Sequence, residues 1–320
     1  MMDWTDRHCR RFHRVLSRHT LLYTEMVAAA ALVRGGALHL LEHSPEEHPL
    51  ALQLGGAEPE MLAAAARIGA DAGFDEINLN CGCPSDRVRE GAFGAVLMTD
   101  PAHAGDCAAA MAEGAAPVEA TVKCRIGVDD QDPRRALPAF LEAMRAAGIR
   151  RVIVHARKAW LKGLSPKENR TVPPLDHGLV REMGMAFPKL TLVLNGGIGD
   201  ARQARRALAR GGIGGVMVGR AAYQRPMEVL APADAMIFGA PRAPLTRVAA
   251  VAAMRPYIAR HLASGGRLHE VTRHMPGLFA GAPGARAWRR VLSEEGVRAD
   301  AGLEVLDRAL EAAGAGLRAA

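Results

Sequence analysis

Glu76-Ile77-Asn78-Leu79-Asn80-Cys81-Gly82-Cys83-Pro84-Ser85 is the stretch from which the rest of the chain can be read. A short run that stops at Gly-Cys-Pro reads as a strand ending in a rigid turn, because glycine frees the backbone and proline fixes it. Runs of the same kind lie at residues 21–24, 50–54, 121–126, 151–155, 191–195 and 215–218. They are rich in Val, Ile and Leu, and suit parallel strands buried on both faces. Amphipathic stretches separate most of them, as at 59–72, 133–147 and 201–210, with Gly or Pro at the joints. The spacing of roughly 30 residues is that of one strand–helix unit. Alternation of this kind implies a parallel sheet, and seven units favour an α/β fold of the (β/α)8 TIM-barrel type over an open doubly wound sheet.

Eight strands close such a barrel, and only seven runs are present. A helical stretch near 6–17 follows Met1-Met2 almost at once. The first strand is therefore expected to be truncated, with the reading frame starting further upstream. Beyond Pro244 the strand-like runs cease and helical stretches follow at 245–264, 266–278, 283–292 and 301–313. The expected division is a barrel domain over 1–238 and a helical domain over 244–320, joined by Gly-Ala-Pro-Arg-Ala-Pro at 239–244.

Composition narrows the class. The 320 residues are 49% hydrophobic but only 4% aromatic, so a large core is available and it must be aliphatic. No uncharged apolar stretch reaches the ~18 residues of a membrane span, and the first residues carry no apolar signal region. Five cysteines, an odd number, point to reduced thiols in a cytoplasm. The net charge is +7, and residues 242–320 hold 12 Arg against 7 Asp and Glu, a net of +5. A positive excess gathered in the last quarter suits a polyanionic partner. Of only five lysines, Lys158, Lys162 and Lys167 fall within 157–170.

Functional residues of parallel barrels sit at the carboxyl ends of strands. Cys81 and Cys83 end the run quoted above. As a Cys-x-Cys pair they lack the second Cys or His pair that zinc needs, so no metal is expected. One reading makes them structural, which fits Cys81 better. The other makes Cys83, held at the mouth by Gly82 and Pro84, a catalytic thiol. Lys123 lies mid-strand in an apolar barrel, where an ammonium needs an anionic partner. Gln53 and His155 close their strands. Asn195-Gly196-Gly197 and Gly219-Arg220 each precede a helix, where backbone N–H groups bind phosphate.

Asn-x-Gly-Cys-Pro after a strand resembles the signature of the tRNA-dihydrouridine synthases. His155-Ala156-Arg157-Lys158-Ala159-Trp160-Leu161, Leu164-Ser165-Pro166-Lys167-Glu168-Asn169-Arg170, Leu22-Tyr23-Thr24-Glu25-Met26, the run from Glu47 to Gly56, and Pro283-Gly284-Ala285-Arg286-Ala287-Trp288-Arg289-Arg290 are similar to the synthase A branch of that family. The resemblance implies an FMN-dependent oxidoreductase that reduces a uridine of the tRNA D-loop, at position 20 and its neighbour 20a, with NADPH as transient reductant. The absence of a Gly-x-Gly-x-x-Gly fingerprint after a strand agrees with a reductant that only visits the open mouth.

In that family Cys83 is a general acid. Reduced flavin delivers hydride to C6 of uracil, and the thiol protonates C5 on the opposite face. A thiol is protonated at neutral pH yet able to release its proton. The resemblance assigns FMN to Gln53, Lys123, His155, Asn195, Gly196, Gly197, Gly219 and Arg220, and to Met1, all that stands here of the family's Ala-Pro-Met run. Lys123 faces the negative N1–C2 edge of reduced flavin, or else forms a structural ion pair. Chemistry on a nucleobase requires it to be flipped out of the stack. Asn80 is assigned to the target nucleotide, Lys167 and Arg170 to tRNA at the mouth, and Arg286 and Arg289, on one helix face, to its backbone. Trp160 either stacks on RNA or packs inside.

Two other classes are compatible with parts of the chain. An FMN barrel acting on a small pyrimidine-like substrate shares the lysine and phosphate loops, but leaves the basic helical part and the 157–170 insertion unexplained. A non-catalytic RNA-binding barrel would bind no flavin.

Overall fold

The computed structural model describes residues 1–85, 93–241 and 243–314. Strands form where the apolar runs stand: β1 Leu22–Ala28, β2 Leu50–Gly55, β3 Glu76–Cys81, β4 Glu119–Arg125, β5 Arg151–His155, β6 Thr191–Asn195 and β7 Gly215–Met217. They make one sheet in the order β1-β2-β3-β4-β5-β6-β7, each pair parallel. Strand order that follows chain order throughout is that of a TIM-type barrel; a doubly wound sheet reverses at a switch point. The fold is thus of the (β/α)8 class with a helical C-terminal part, and seven strands are present among the described residues.

Helices Pro59–Asp71, Pro101–Ala115, Pro133–Ala146, His177–Ala186 and Ala201–Ala209 fill the crossovers. Their starts are written locally. Asp100 and Asp132 cap with side-chain oxygens on the amides of His103 and Arg134, and each is followed by a proline at the first helical position. Such a pairing satisfies an orphan donor and pre-sets the first φ. Asp176 caps the next helix through the Leu179 amide. Outward residues of β3, Ile77, Leu79 and Cys81, are fully buried with Leu62, Ala65, Ala66 and Met111 from the flanking helices. This aliphatic layer is the core that the low aromatic content required.

The inward positions of β3 differ from the expected strand buried in apolar surroundings on both faces. Glu76, Asn78 and Asn80 alternate with the apolar set and are themselves buried. Alternation of this kind places one set on each face. The polar set faces the barrel interior, and its partners are given below.

Contacts gather the chain into two units. One holds residues 1–2, 21–198 and 206–218, with all seven strands; the other holds 3–20, 199–205 and 219–320. Residues 3–20 therefore group with the C-terminal helices, whereas one cut near 240 leaves them in the barrel. The reason is long-range and polar. His8 Nδ1 is 2.7 Å from the Tyr257 hydroxyl, Asp6 binds Arg273 and His274, and Asp234 accepts from Ser17 Oγ at 2.6 Å. In the helical unit Arg247–Ala263, Leu268–Thr272, Ala285–Glu294 and Glu304–Ala312 are helices. The expected helix over 266–278 is broken between Thr272 and Pro276, which lacks the N–H that would continue the helical ladder and instead opens a short 3-10 turn.

Candidate active site at the strand ends

The turn after β3 is fixed from two sides. Asn80 Oδ1 accepts from the backbone amides of Gly82 and Cys83, both at 3.0 Å. The buried Arg125, last residue of β4, donates Nε to the Gly82 carbonyl at 3.0 Å. Cys83 stands on this braced turn, its sulfur 3.4 Å from Ser85 Oγ. Of the five cysteines, Cys9, Cys81, Cys107 and Cys124 are buried and only Cys83 is half-exposed. Burial pushes the Cys124 thiol up to about 12 and that of Cys81 well above the usual range. Those sulfurs are inert packing groups, and the choice between Cys81 and Cys83 falls to Cys83 as the thiol that a ligand can reach.

Lys123 lies on the same strand as Arg125. Among the described residues no carboxylate pairs with its ammonium. The charged or ionisable groups that act on it are Arg125, Cys124, Cys83 and Arg170. Burial, aided by Arg125, pulls its pKa down to about 8. Among the described residues a structural ion pair is thus not what holds Lys123, which is half-buried, and a cation drawn partly out of water without an anion costs free energy until a ligand supplies one. Gln53 sits on β2 beside Asn78. Its Nε2 donates to Asn78 Oδ1 at 2.8 Å and its Oε1 accepts from Asn80 at 2.9 Å. One Nε2 proton of Gln53 has no acceptor among the described residues.

His155 ends β5 and is buried. Gly196 and Gly197 follow β6 with φ of 108° and 75°, backbone that only glycine adopts freely. A Cβ on Gly196 would lie 2.7 Å from the His155 ring, so the glycine is what lets the β6 turn close over that histidine. Asn195 donates Nδ2 to the Met217 carbonyl at 2.8 Å, tying β6 to β7.

The segment after β5 is built around two buried polar residues that the sequence left without a role. Asn169 donates to the carbonyls of Trp160 at 2.9 Å and Leu164 at 3.1 Å, and accepts from the Trp160 amide at 2.7 Å. Arg125 donates to the carbonyls of Lys158 and Asn169 at 3.2 and 2.9 Å. One guanidinium therefore joins the Cys83 turn to the 157–170 segment. Arg's fixed fork of donors suits such a brace. Lys162, Lys167 and Arg170 stay on the exposed side, and the Lys158 ammonium lies 5.2 Å from the centre of the Trp160 ring.

Cys83, Asn80, Gln53, Lys123, His155, Asn195, Gly196, Gly197, Lys167, Arg170 and Met1 belong to the barrel unit; Gly219, Arg220, Arg286 and Arg289 belong to the helical one. Gly219 caps the five-residue helix Arg220–Gln224. Arg286 and Arg289 are exposed on helix Ala285–Glu294, while Trp288 between them is fully buried, its Nε1 donating to the Met275 carbonyl at 3.0 Å. A polar cleft of about 350 Å3 in the helical unit, lined by Asp6, His8, His269, Glu270 and Arg273, holds none of these residues. Among the described residues no three His, Cys, Asp or Glu side chains are placed to share a metal ion, and no helix is long and apolar enough to cross a membrane.

A parallel β/α barrel whose strand ends hold one accessible thiol, an oriented amide and, among the described residues, an ammonium paired with no carboxylate has the parts of a barrel enzyme. The sequence profile of the dihydrouridine synthase (Dus) family matches residues 1–314, and the chain belongs to that family, whose members are flavin-dependent oxidoreductases. It is 50% identical over 311 residues to the tRNA-dihydrouridine(20/20a) synthase of Shewanella oneidensis, covering 97% of this chain and 91% of that one. It is 52% identical over 312 residues to the Salmonella typhi protein of that name, with 97% and 92% covered, and 51% identical to that of Escherichia coli K12, with 97% and 89% covered.

Proposed function

We propose that this protein reduces uridine to 5,6-dihydrouridine at positions 20 and 20a of the tRNA D-loop, in the cytoplasm, with FMN as resident cofactor and NADPH as reductant. The observation that carries the reading is the single accessible thiol, Cys83, standing on a strand-end turn braced by Asn80 and Arg125.

The residues fit a flavin. Lys123 offers the positive charge that the N1–C2 edge of the reduced ring requires, and Gln53, two strands away on β2, offers a further amide proton. His155 and the Gly196-Gly197 backbone stand on the neighbouring strands. Gly219, Arg220 and Met1 are carried to the cofactor by the sequence resemblance. When bound and reduced, the flavin supplies the hydride that adds to C6 of uracil. Cys83 holds a proton at Sγ and gives it to C5, so that hydride and proton together saturate the C5–C6 bond. The cationic charge of Lys123 and Arg125 then faces the thiolate left behind, which recovers its proton from solvent. Asn80, whose Oδ1 holds the turn, stands beside the target base.

The barrel carries the chemistry, and the helical part from 244 to 320 grips the tRNA. Lys167 and Arg170 flank the mouth, while Arg286 and Arg289 take phosphates. Neither of the last two is engaged by a carboxylate among the described residues, so each is free to meet the RNA backbone. Replacing both with Gln is expected to weaken binding alike for all tRNAs and to flatten the salt dependence. Each lost phosphate contact lowers the slope of log K against log salt by ~0.7–0.9. Titration of labelled tRNA between about 50 and 200 mM salt reads this. An unchanged slope removes these arginines from the interface. The reading as a whole is tested by mass analysis of tRNA digests from cells with and without the gene. Loss of two hydrogens at one or two D-loop uridines is expected. An unchanged D-loop overturns the proposal.

A further inference from the structure

The interior of the barrel holds an unbroken line of hydrogen bonds. It begins at Glu76, at the amino end of β3, whose side chain is almost wholly buried. Oε2 accepts from Arg151 at 2.9 Å; Oε1 accepts from the Tyr23 hydroxyl at 2.5 Å and from the Thr121 hydroxyl at 2.6 Å. Thr121 Oγ1 accepts from Asn78 Nδ2 at 2.8 Å. Asn78 Oδ1 accepts from Gln53 Nε2 at 2.8 Å, and Gln53 Oε1 accepts from Asn80 Nδ2 at 2.9 Å. Asn80 Oδ1 closes the line on the amides of Gly82 and Cys83. Gln53, Asn78 and Thr121 are register partners across β2, β3 and β4 and form one layer.

The line has a single sense. A carboxylate paired with a guanidinium only accepts. It therefore takes the one proton of Thr121, whose oxygen must then accept from Asn78. That leaves Asn78 with its carbonyl turned to Gln53, and Gln53 with its carbonyl turned to Asn80. From the mouth, two backbone donors impose the same sense on Asn80. No amide in the line can flip without placing donor against donor in a buried site, where an unmet polar group is costly. Barrel interiors are ordinarily filled by Val, Ile and Leu, so a fully met polar column in their place is a device and not filler.

We propose that Thr121 and Asn78 are positioning residues for the flavin site: they fix the face that Gln53 offers, with its remaining amide proton directed to the cofactor. The inference rests on the reading of Gln53 as a flavin contact, and extends it to two fully buried residues one and two bonds away.

The test is a double-mutant cycle read by FMN affinity and by the visible absorption of the bound flavin, with no turnover measured. Thr121→Val keeps shape and removes the hydroxyl; Thr121→Ser restores it. Thr121→Val is expected to weaken FMN binding about tenfold and to shift the flavin band in the direction that Gln53→Ala shifts it, with Thr121→Ser close to the parent. In the Gln53→Ala background Thr121→Val is expected to have no further effect, since partners in one network do not add. Asn78→Leu serves as a second break in the same line and should behave as Thr121→Val does. Equal effects of Thr121→Val in both backgrounds overturn the inference, because they mark general loosening of the barrel. So does an unchanged Thr121→Val beside a weakened Gln53→Ala, and the flavin assignment then stands alone. If Gln53→Ala itself binds FMN as the parent does, that assignment falls and the inference falls with it.

Discussion

Cys83→Ala is expected to lower turnover on tRNA by roughly 10^2- to 10^4-fold, the usual contribution of a positioned general acid, while FMN remains bound. The sulfur stands on a turn held by Asn80 and Arg125 through backbone atoms, so removing it disturbs neither brace. What is lost is the proton for C5. Cys83→Ser should rescue little, because a hydroxyl releases its proton far less readily than a thiol. Single-turnover reduction of tRNA by the pre-reduced enzyme measures the step directly. Loss of flavin together with turnover would make Cys83 a structural residue, and undiminished turnover would give the proton to another group.

Lys123→Met is expected to have opposite effects on cofactor and on fold. FMN should be lost from the purified protein, with affinity down by 100-fold or so, the scale of a removed partner in a buried charge pair. The flavin-free protein should become more stable, by roughly 1–3 kcal/mol, because an apolar chain replaces a half-buried cation that no carboxylate pairs among the described residues. The sign with pH follows from the folded pKa of about 8 against the ordinary 10.5. Below 8 both folded and unfolded chains hold the proton, and the full cost of the buried charge is present. Between 8 and 10.5 the unfolded chain binds more protons, so stability rises with pH through that window. Denaturant unfolding of the flavin-free parent should show this rise and Lys123→Met should lack it. Parallel curves for the two proteins would mean that Lys123 has an anionic partner inside the protein. The affinity of the parent for reduced FMN should also fall as pH climbs past about 8, as the lysine loses its charge.

The two substitutions separate two jobs that meet at one place. Cys83 acts on the base and can go without harm to the cofactor site. Lys123 acts on the cofactor and destabilises the barrel until the cofactor is there. A site that costs stability without its ligand is what a half-buried, unpaired cation produces.

Much of this was legible from residue order. The seven strands lie where short aliphatic runs predict them, and 151–155 and 191–195 match to the residue. Helix starts are written by Asp-Pro pairs, whose effect reaches only a few residues. On residues alone Cys81 was the better structural cysteine, and Cys83 stood between a structural and a catalytic thiol. The choice was decided by solvent access, which depends on helices distant in sequence. Lys123 was left between an internal ion pair and a ligand, and only the absence of a carboxylate around it among the described residues separates the two. Asn169 and Arg125 were passed over because each works through carbonyls brought near by folding. Glu76, Asn78 and Asn80 carried a period-two signal in β3, but an alternating strand does not say what its polar face meets, here Thr121 of β4.

The sequence by itself determined the order of strands and helices, the parallel class of the sheet and the candidate chemistry of the mouth, because these depend on local propensity, periodicity and residue type. Folding alone settled which thiol is reachable, that Lys123 pairs with no carboxylate among the described residues, that residues 3–20 group with the C-terminal helices, and that a single line of hydrogen bonds runs from Glu76 to Cys83. Those are properties of distance and burial between residues far apart in the chain, and no local pattern encodes them.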